Sequence, residues 1–341
     1  MLSIIVPTYN RKETIQETLR HLAQIGELSN YIHEIIVVND GEVELSELEN
    51  SYQGLNVRVV KNKGKGAAAA RNFGAALAIY DLLLFIDDDM LLNENAIPQI
   101  IEFHKDKSNC MMSGSREYSP EILEKMSRHS FGRFMVSDGD SGMGGAELKQ
   151  VGENLYECKT LASFCLSMLK GTFDRLNGFN EKFLYAGCED QEFTMRALEL
   201  DIKLYYLTSI KTFHNDLQTG LRDKWLSRQF TGVQGFPLLC ELYPARKSSL
   251  LFRENYPVTS EDDLKLKIKK VFKKVAYGKS GFYVLKNLTG FLEKFSATEA
   301  VLNRCYSLMG GMMIYQGFQI GRKKLPNDQK TAKQNPKNEF A

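Results

Sequence analysis

The first 90 residues alternate short apolar runs with segments whose apolar residues recur at helical spacing. Strands are predicted for LSIIVPTYN, HEIIVVNDG, NVRVVKN and DLLLFIDDDM, and helices for TIQETLRHLAQI and KGAAAARNFGAALAIY. Asn10 lies where it could cap the first of these helices. Apolar strands separated by helices are typical of a mostly parallel sheet that is buried on both faces. The pattern therefore predicts an α/β fold.

Three of the predicted strands end in polar residues, namely Thr8 to Asn10, Asn39 to Gly41 and Asp87 to Asp89. In parallel sheets of this kind, ligands bind beyond the carboxyl ends of the strands. We therefore expect the three ends to meet in one crevice.

Three adjacent carboxylates, Asp87, Asp88 and Asp89, follow the apolar run LLLFI. They repel one another unless a cation or hydrogen-bond donors compensate them. Asp87 and Asp89 share a face of the strand, and carboxylate oxygens suit Mg²⁺ or Mn²⁺ bound together with substrate phosphates. A solvated acidic turn is the alternative, which the preceding core strand disfavours.

Glu189 and Asp190 precede a predicted helix. They could simply stabilise the start of that helix, or one of them could be a general base for an acceptor hydroxyl. His214 follows a later apolar strand and is either structural or a metal ligand. The segment Lys63 to Gly66, with Arg71 after it, could hold a diphosphate, although it matches no P-loop pattern.

The six cysteines form no C-x-x-C pair, which disfavours a zinc ribbon or a disulfide framework and indicates a reducing compartment. The chain start lacks the basic region of an export signal. No apolar run reaches the roughly 18–20 residues of a spanning helix. We therefore expect a cytoplasmic protein, with peripheral attachment to the inner face of the plasma membrane as a hypothesis.

Charge is unevenly distributed along the chain. Residues 261–341 hold 16 Lys and Arg against 7 Asp and Glu, a net charge of +9, which leaves −7 for the rest of a chain whose total is +2. The lysine cluster KLKIKKVFKKV and the uncharged segment from Cys305 to Gly321 could lie on an anionic membrane surface. The alternative is a helical subdomain. Residues 326–341 are polar and are predicted to be disordered.

Together these motifs closely resemble the family 2 glycosyltransferases, which have the GT-A fold. The resemblance covers about residues 1–235 and is carried by SIIVPTYNR, VVNDG, NKGKGAAAARNFGA, FIDDDM and GFNEKFLYAGCEDQEFTMR. It implies a Rossmann-like mixed sheet flanked by helices, with a C-terminal helical extension. It also implies a catalytic domain over 1–235, with a nucleotide-binding half at 1–110 and an acceptor half at 111–235, and a helical region at 236–325.

The resemblance assigns roles to individual residues. Those implied to contact the nucleotide are Pro7, Thr8, Tyr9, Asp40, Arg71, Asp87 and Asp88. Those implied to bind the metal, Mn²⁺ or Mg²⁺, are Asp89 and His214. Asp190 matches the catalytic base and Glu189 an acceptor-binding partner. Asn39 departs from the family, which commonly has Asp there.

The function implied is inverting transfer of a sugar from a nucleoside diphosphate sugar, most often a UDP-sugar, to a hydroxyl of a glycan or lipid-linked glycan. The Q-x-x-R-W motif of processive members is missing, which favours single additions. A nucleotidyltransferase is the first alternative, but that class is expected to have a glycine-rich loop near the N-terminus, and none is present in this sequence. A non-catalytic basic protein that binds membrane or nucleic acid is the second, and the acidic remainder weighs against nucleic acid.

Overall fold

The computed structural model describes residues 1–25, 32–137, 148–185, 187–215, 221–248, 250–295 and 298–325. The chain forms two compact units, Met1–Gly220 and Leu221–Ala341. The sequence predicts a catalytic domain over 1–235, whereas in the structure residues 221–235 are part of the second unit. The predicted disordered tail, 326–341, lies outside the described residues.

The first unit is built from strands and helices that alternate along much of its length. Its elements are β1 Leu2–Thr8, α1 Lys12–Gln24, β2 Ile32–Asn39, β3 Val57–Lys61, α2 Gly66–Leu77, β4 Leu82–Ile86, β5 Met90–Leu92, α3 Ala96–Lys105, β6 Cys110–Tyr118, α4 Pro120–Ser127, α5 Ser130–Ser137, β7 Lys149–Gly152, β8 Leu155–Glu157, β9 Cys165–Leu169, α6 Lys170–Arg175, α7 Glu189–Glu199 and β10 Lys203–His214. The predicted helices and strands of the first 90 residues are confirmed.

The described strands form one mixed sheet in the order β3-β2-β1-β4-β9-β6-β10-β8-β7, with β5 paired to β10. Strands β1 to β4 run parallel, and β9 is antiparallel to both β4 and β6. Since β10 is parallel to β6, the carboxyl ends of β1, β2, β3, β4, β6 and β10 all lie at one edge. This edge is where the sequence predicts a crevice.

Successive residues of the central strands pack on opposite faces of the sheet. Ile4 and Val6 belong to a core cluster on one face, while Ile5 belongs to the cluster on the other. Small residues of α2 let this helix approach the sheet closely. At Gly74 the approach is so close that a Cβ would collide with Ile5 of β1. Helices therefore cover the sheet on both faces, as the apolar strands predict.

Strand β6 was not predicted from the sequence. Its segment CMMSGSREY has glycine, serine and charged residues instead of a continuous apolar run. It becomes a strand because β9 and β10 satisfy its backbone on both sides. The prediction for Asn10 is wrong, because Arg11 is the N-cap of α1 and Asn10 accepts hydrogen bonds from the backbone N–H groups of Glu42 and Val43.

The second unit is helical in its described parts, so the predicted C-terminal helical extension is confirmed. Its helices are α8 Arg222–Gly232, α9 Phe236–Leu242, α10 Leu250–Asn255, α11 Leu264–Ala276, α12 Lys279–Lys294 and α13 Glu299–Lys324. The uncharged segment from Cys305 to Gly321 forms most of α13, where Tyr306 and Phe318 are buried. None of the helices in the described ranges is long and apolar enough to cross a membrane.

Candidate active site

Hydrogen bonds join the ends of β1, β2 and β4. The Thr8 hydroxyl donates to Oδ2 of Asp88 at 2.6 Å, and the backbone N–H of Asp40 donates to the Thr8 carbonyl at 2.9 Å. The three polar strand ends that the sequence singled out therefore lie together at the carboxyl edge of the sheet.

Asp88 is buried and fully engaged by neighbouring side chains. Besides Thr8, Nη1 of Arg11 donates to its Oδ1 at 2.8 Å, and the Thr18 hydroxyl donates to its backbone carbonyl at 2.6 Å. Burial raises the pKa of Asp88 to about 7, although the neighbouring Arg11 opposes that shift. These contacts fix the end of β4 against α1, and the nucleotide-binding role of Asp88 stays a prediction.

Asp89 and His214 face each other across the pairing of β5 with β10. Their Oδ2 and Nε2 atoms are 3.4 Å apart, and the backbone N–H of Asn215 donates to the Asp89 carbonyl at 2.8 Å. Arg11 also donates to Oδ2 of Asp89, at 2.9 Å. Burial alone would raise the pKa of Asp89, but His214 and Arg11 outweigh it and hold that pKa below its ordinary value.

Asp89 and His214 fit as part of a divalent metal site. A carboxylate oxygen and an imidazole nitrogen suit Mn²⁺, and both side chains are buried at the edge where ligands bind. Within the described residues, no group of three or more His, Cys, Asp or Glu is placed to hold an ion. The remaining ligands would therefore be water and phosphate oxygens of a substrate, an arrangement that is usual for Mg²⁺.

Arg71 connects the acidic end of β4 with the start of α7. From α2, its buried guanidinium donates to Asp87 at 2.9 Å and to Glu189 at 3.2 Å, and it lies 4.0 Å from Asp190. Burial would lower the pKa of Arg71, but these carboxylates raise it, so the side chain stays charged. The guanidinium also packs over the ring of Phe179. Its predicted contact with the nucleotide stays a prediction, because the contacts described here are with carboxylates.

The two acidic residues at the start of α7 differ in their surroundings. Glu189 is buried and accepts a hydrogen bond from the Gly187 N–H at 2.6 Å, and burial together with the nearby Asp190 raises its pKa. Asp190 is partly exposed, with 21% of its side chain accessible, and its Oδ2 accepts from the backbone N–H of Ser163 at 3.0 Å. Its Oδ1 is buried without a hydrogen-bond donor among the described residues. Oδ1 is also the oxygen that lies 4.0 Å from Nη1 of Arg71, so Asp190 is held between a backbone donor and a cation.

The residues predicted to meet the nucleotide base lie beside the ends of β1 and β2. Tyr9 is 63% exposed and Pro7 is half-buried. The Asp40 carboxylate accepts from Nδ2 of Asn62 at 2.7 Å and from the Gly66 N–H at 2.9 Å, so it fixes the start of α2. Gly66 needs to be glycine, because its φ is +86° and a Cβ would lie 2.6 Å from a backbone oxygen of Leu184.

Three residues of this site were not assigned from the sequence. Arg11 is the last residue of the SIIVPTYNR motif. Three adjacent aspartates need a nearby positive charge, and this requirement could have pointed to Arg11 from the sequence. Asn72 exchanges two hydrogen bonds with the backbone of Phe179, at 2.9 and 2.7 Å, and so ties α2 to the segment before α7. Ser163 acts through its backbone N–H, which leaves no signal in the sequence.

Comparison with known proteins identifies the family of this domain. The glycosyl transferase family 2 model matches residues 3–164. The chain is 26% identical to a hyaluronan synthase of Pasteurella multocida over 239 residues, which are 63% of this chain and 24% of that protein. It is 24% identical over 263 residues to the poly(ribitol-phosphate) beta-N-acetylglucosaminyltransferase TarP of Staphylococcus aureus, covering 74% of each chain. The chain thus spans about a quarter of the hyaluronan synthase.

The fold agrees with that of a solved glycosyltransferase. The mannosyltransferase PcManGT from Pyrobaculum calidifontis, solved in complex with GDP-Man and Mn²⁺, matches with a TM-score of 0.58 and 13% identity over 95% of this chain and 88% of that one. At this identity the match shows the fold alone, a GT-A mixed sheet flanked by helices. The match over residues 3–164 shows that this part of the chain is a glycosyl transferase family 2 domain.

Proposed function

We propose that this chain is a metal-dependent inverting glycosyltransferase. It transfers a sugar from a nucleoside diphosphate sugar, with UDP favoured as the nucleotide, to a hydroxyl of a glycan or lipid-linked glycan. One observation carries the proposal: Arg71 joins Asp87 at the end of β4 to Glu189 at the start of α7 in one hydrogen-bonded network. The two acidic motifs, far apart in sequence, therefore belong to a single site.

Asp190 would be the general base of the transfer. Its Oδ2 is fixed by the Ser163 N–H and its Oδ1 lies 4.0 Å from Arg71, while 21% of the side chain is accessible, so the carboxylate can take the proton of an acceptor hydroxyl. The hydroxyl oxygen then forms a bond to the anomeric carbon as the bond from that carbon to the diphosphate breaks. The nucleoside diphosphate leaves with the electron pair, on the face opposite the attack.

Asp89 and His214 would hold the divalent cation on the donor side of the site. When bound, such a cation acts as a Lewis acid that offsets the charge developing on the leaving diphosphate. Arg11 lies against the same oxygen of Asp89 at 2.9 Å and adds a further positive charge there. Tyr9 presents an exposed ring beside the end of β1, where a nucleotide base can pack.

The similar proteins support a sugar-nucleotide donor. Two of them are named as a hyaluronan synthase and a beta-N-acetylglucosaminyltransferase. The structural neighbour was solved with GDP-Man and Mn²⁺.

A thermal-shift and hydrolysis screen of UDP-, GDP- and dTDP-sugars tests the proposal. Each donor is assayed with Mn²⁺, with Mg²⁺ and with a chelator, and the products are separated to distinguish nucleoside diphosphate from pyrophosphate. We expect one donor to stabilise the chain only with metal and to release its nucleoside diphosphate slowly. Release of pyrophosphate would instead indicate a nucleotidyltransferase, and no response to any donor would contradict a sugar-nucleotide site.

A further inference from the structure

Helix α11 presents its apolar face to solvent. The exposed side chains, with 53–78% of each residue accessible, are Leu264, Ile268, Val271, Phe272 and Val275. Their spacing of four, three, one and three residues places all five on one face of the helix. We call these five residues the apolar stripe of α11. A helix in a water-soluble domain ordinarily turns such a face to the core, so this orientation needs a physical cause.

The opposite face of α11 buries two lysines, and their ion pairs set the orientation of the helix. Nζ of Lys270 donates to Oδ2 of Asp262 at 2.6 Å and to the carbonyl of Pro257 at 3.0 Å. Nζ of Lys273 donates to Oε2 of Glu254 at 2.9 Å. Turning the apolar stripe inward would break both pairs and leave buried carboxylates without partners, which is strongly destabilising.

Lysines also border the apolar stripe on both sides. Lys265 lies along one edge of it, and Lys267 and Lys274 lie along the other. Lys269, also on the first edge, is ion-paired with Glu254. The helix itself contains no Asp or Glu between its first residue, Leu264, and its last, Ala276. An apolar face between two rows of cations is typical of helices that lie in the plane of a membrane interface, where the long lysine side chains reach the lipid phosphates.

We propose that α11 is a docking site for an anionic phospholipid surface, with the apolar stripe inserted at the level of the upper acyl chains. The inserted residues supply apolar burial, and the flanking lysines supply attraction to negative headgroups. A second copy of this chain fits this face less well, since a two-fold contact through α11 would bring lysine rows of like charge together. The attachment is peripheral, because the stripe is only three turns long.

A second exposed apolar row supports the assignment of this region to a lipid surface. Val284, Leu288 and Phe291 of α12, with Phe295 at its C-cap, are 49–68% exposed at spacings of four, three and four residues. The structure corrects one part of the hypothesis that the C-terminal region lies on a membrane surface. The segment from Cys305 to Gly321 contributes buried residues to α13, including Tyr306 and Met309, and is not the lipid-facing part.

Vesicle flotation of the full chain, without any sugar nucleotide, tests the proposal. Vesicles of phosphatidylcholine alone are compared with vesicles that also contain phosphatidylglycerol, at low and high salt. We expect flotation only with the anionic vesicles and its loss at high salt. The variant Ile268→Glu should abolish flotation, whereas Ile79→Glu, a matched change at an exposed position of the first unit, should float like the wild type.

A charge variant measures the contribution of the lysine rows. The double change Lys265→Gln and Lys274→Gln should weaken partition to anionic vesicles about 25-fold, since each lysine near such a surface contributes roughly five-fold. Thermal unfolding of each variant checks that it is folded. Donor hydrolysis without vesicles should equal that of the wild type, so failure of docking and failure of the proposed transferase activity are told apart.

Two outcomes would overturn the docking proposal. In the first, Ile268→Glu and the wild type float equally well, so that another surface binds the lipid. In the second, neither floats, while sedimentation velocity shows that the wild type self-associates and that Phe272→Glu does not, which would make the stripe a contact between copies of the chain.

Discussion

At the scale of single residues, Asp190 has one carboxylate oxygen that is fixed by a backbone donor and another that lies 4.0 Å from the Arg71 guanidinium. The change Asp190→Asn keeps the shape and an acceptor for the Ser163 N–H but removes the base. We expect kcat to fall by about 10²–10⁴-fold, with donor affinity unchanged. Titration calorimetry with the donor and steady-state kinetics measure the two quantities. The surface change Asp174→Asn is the control, and normal turnover of Asp190→Asn would rule out the assignment of the base.

A second residue makes stability depend on pH away from the site. Burial lowers the pKa of His104 to about 4, and its Nε2 lies 2.9 Å from the Ser167 hydroxyl. At a pH below the ordinary pKa of histidine, His104 takes up a proton in the unfolded chain but not in the folded chain. The stability that His104 contributes is therefore present above about pH 6.5 and is lost as the pH falls toward about 4.

The variant His104→Gln measures this contribution. Between about pH 7 and about pH 5, the free energy of unfolding of the wild type should fall by about 2 kcal/mol more than that of the variant. Urea unfolding at each pH gives the values. The exposed change His129→Gln should behave like the wild type, and an equal fall in all three proteins would show that His104 is not the cause.

At the scale of elements, glycines let α13 pack closely against its neighbours in the second unit. A Cβ on Gly317 would collide with the backbone oxygen of Phe230 and lie 2.6 Å from Cγ1 of Val233. Gly290 on α12 has no atom within 4 Å of the same position. Two identical substitutions should therefore have opposite effects on stability.

We expect Gly317→Ala to lower the free energy of unfolding by about 1–3 kcal/mol, because a rigid backbone has to move. Gly290→Ala should raise it by up to about 1 kcal/mol, because alanine has a higher helix propensity than glycine and its Cβ would meet no other atom. Urea unfolding of both variants measures the difference. Equal stabilisation by the two changes would mean that α13 is not closely packed at Gly317.

At the scale of the whole molecule, all of the predicted site residues lie in the first unit, which has large core clusters of its own. A fragment of residues 1–220 should therefore unfold cooperatively and bind the donor with an affinity similar to that of the full chain. Circular dichroism and titration calorimetry test this. The same fragment with Asp89→Ala should lose metal-dependent binding, and a fragment without a cooperative transition would show that the second unit is needed for folding.

Much of the sheet and of the candidate site could be predicted because their signals are local. The apolar runs of β1, β2 and β4 require burial wherever they lie, and the polar residues after them mark the ends of the strands. The acidic triplet after β4 and the pair Glu189 and Asp190 were found in the same way, since closely spaced carboxylates need compensation. By contrast, β6 has a weak local pattern and depends on the strands beside it.

The sequence by itself determined the parallel half of the sheet, the acidic motifs and the lysine-rich helix, because each follows from short-range patterns of polarity. Only the tertiary structure decided which groups meet. It placed Arg71 between Asp87 and Glu189, set a backbone N–H of Ser163 against Asp190, and turned the apolar stripe of α11 outward. These outcomes depend on contacts between residues that are far apart in sequence. Such contacts form because buried charges and polar groups need partners, and a local sequence pattern does not show which partners they will have.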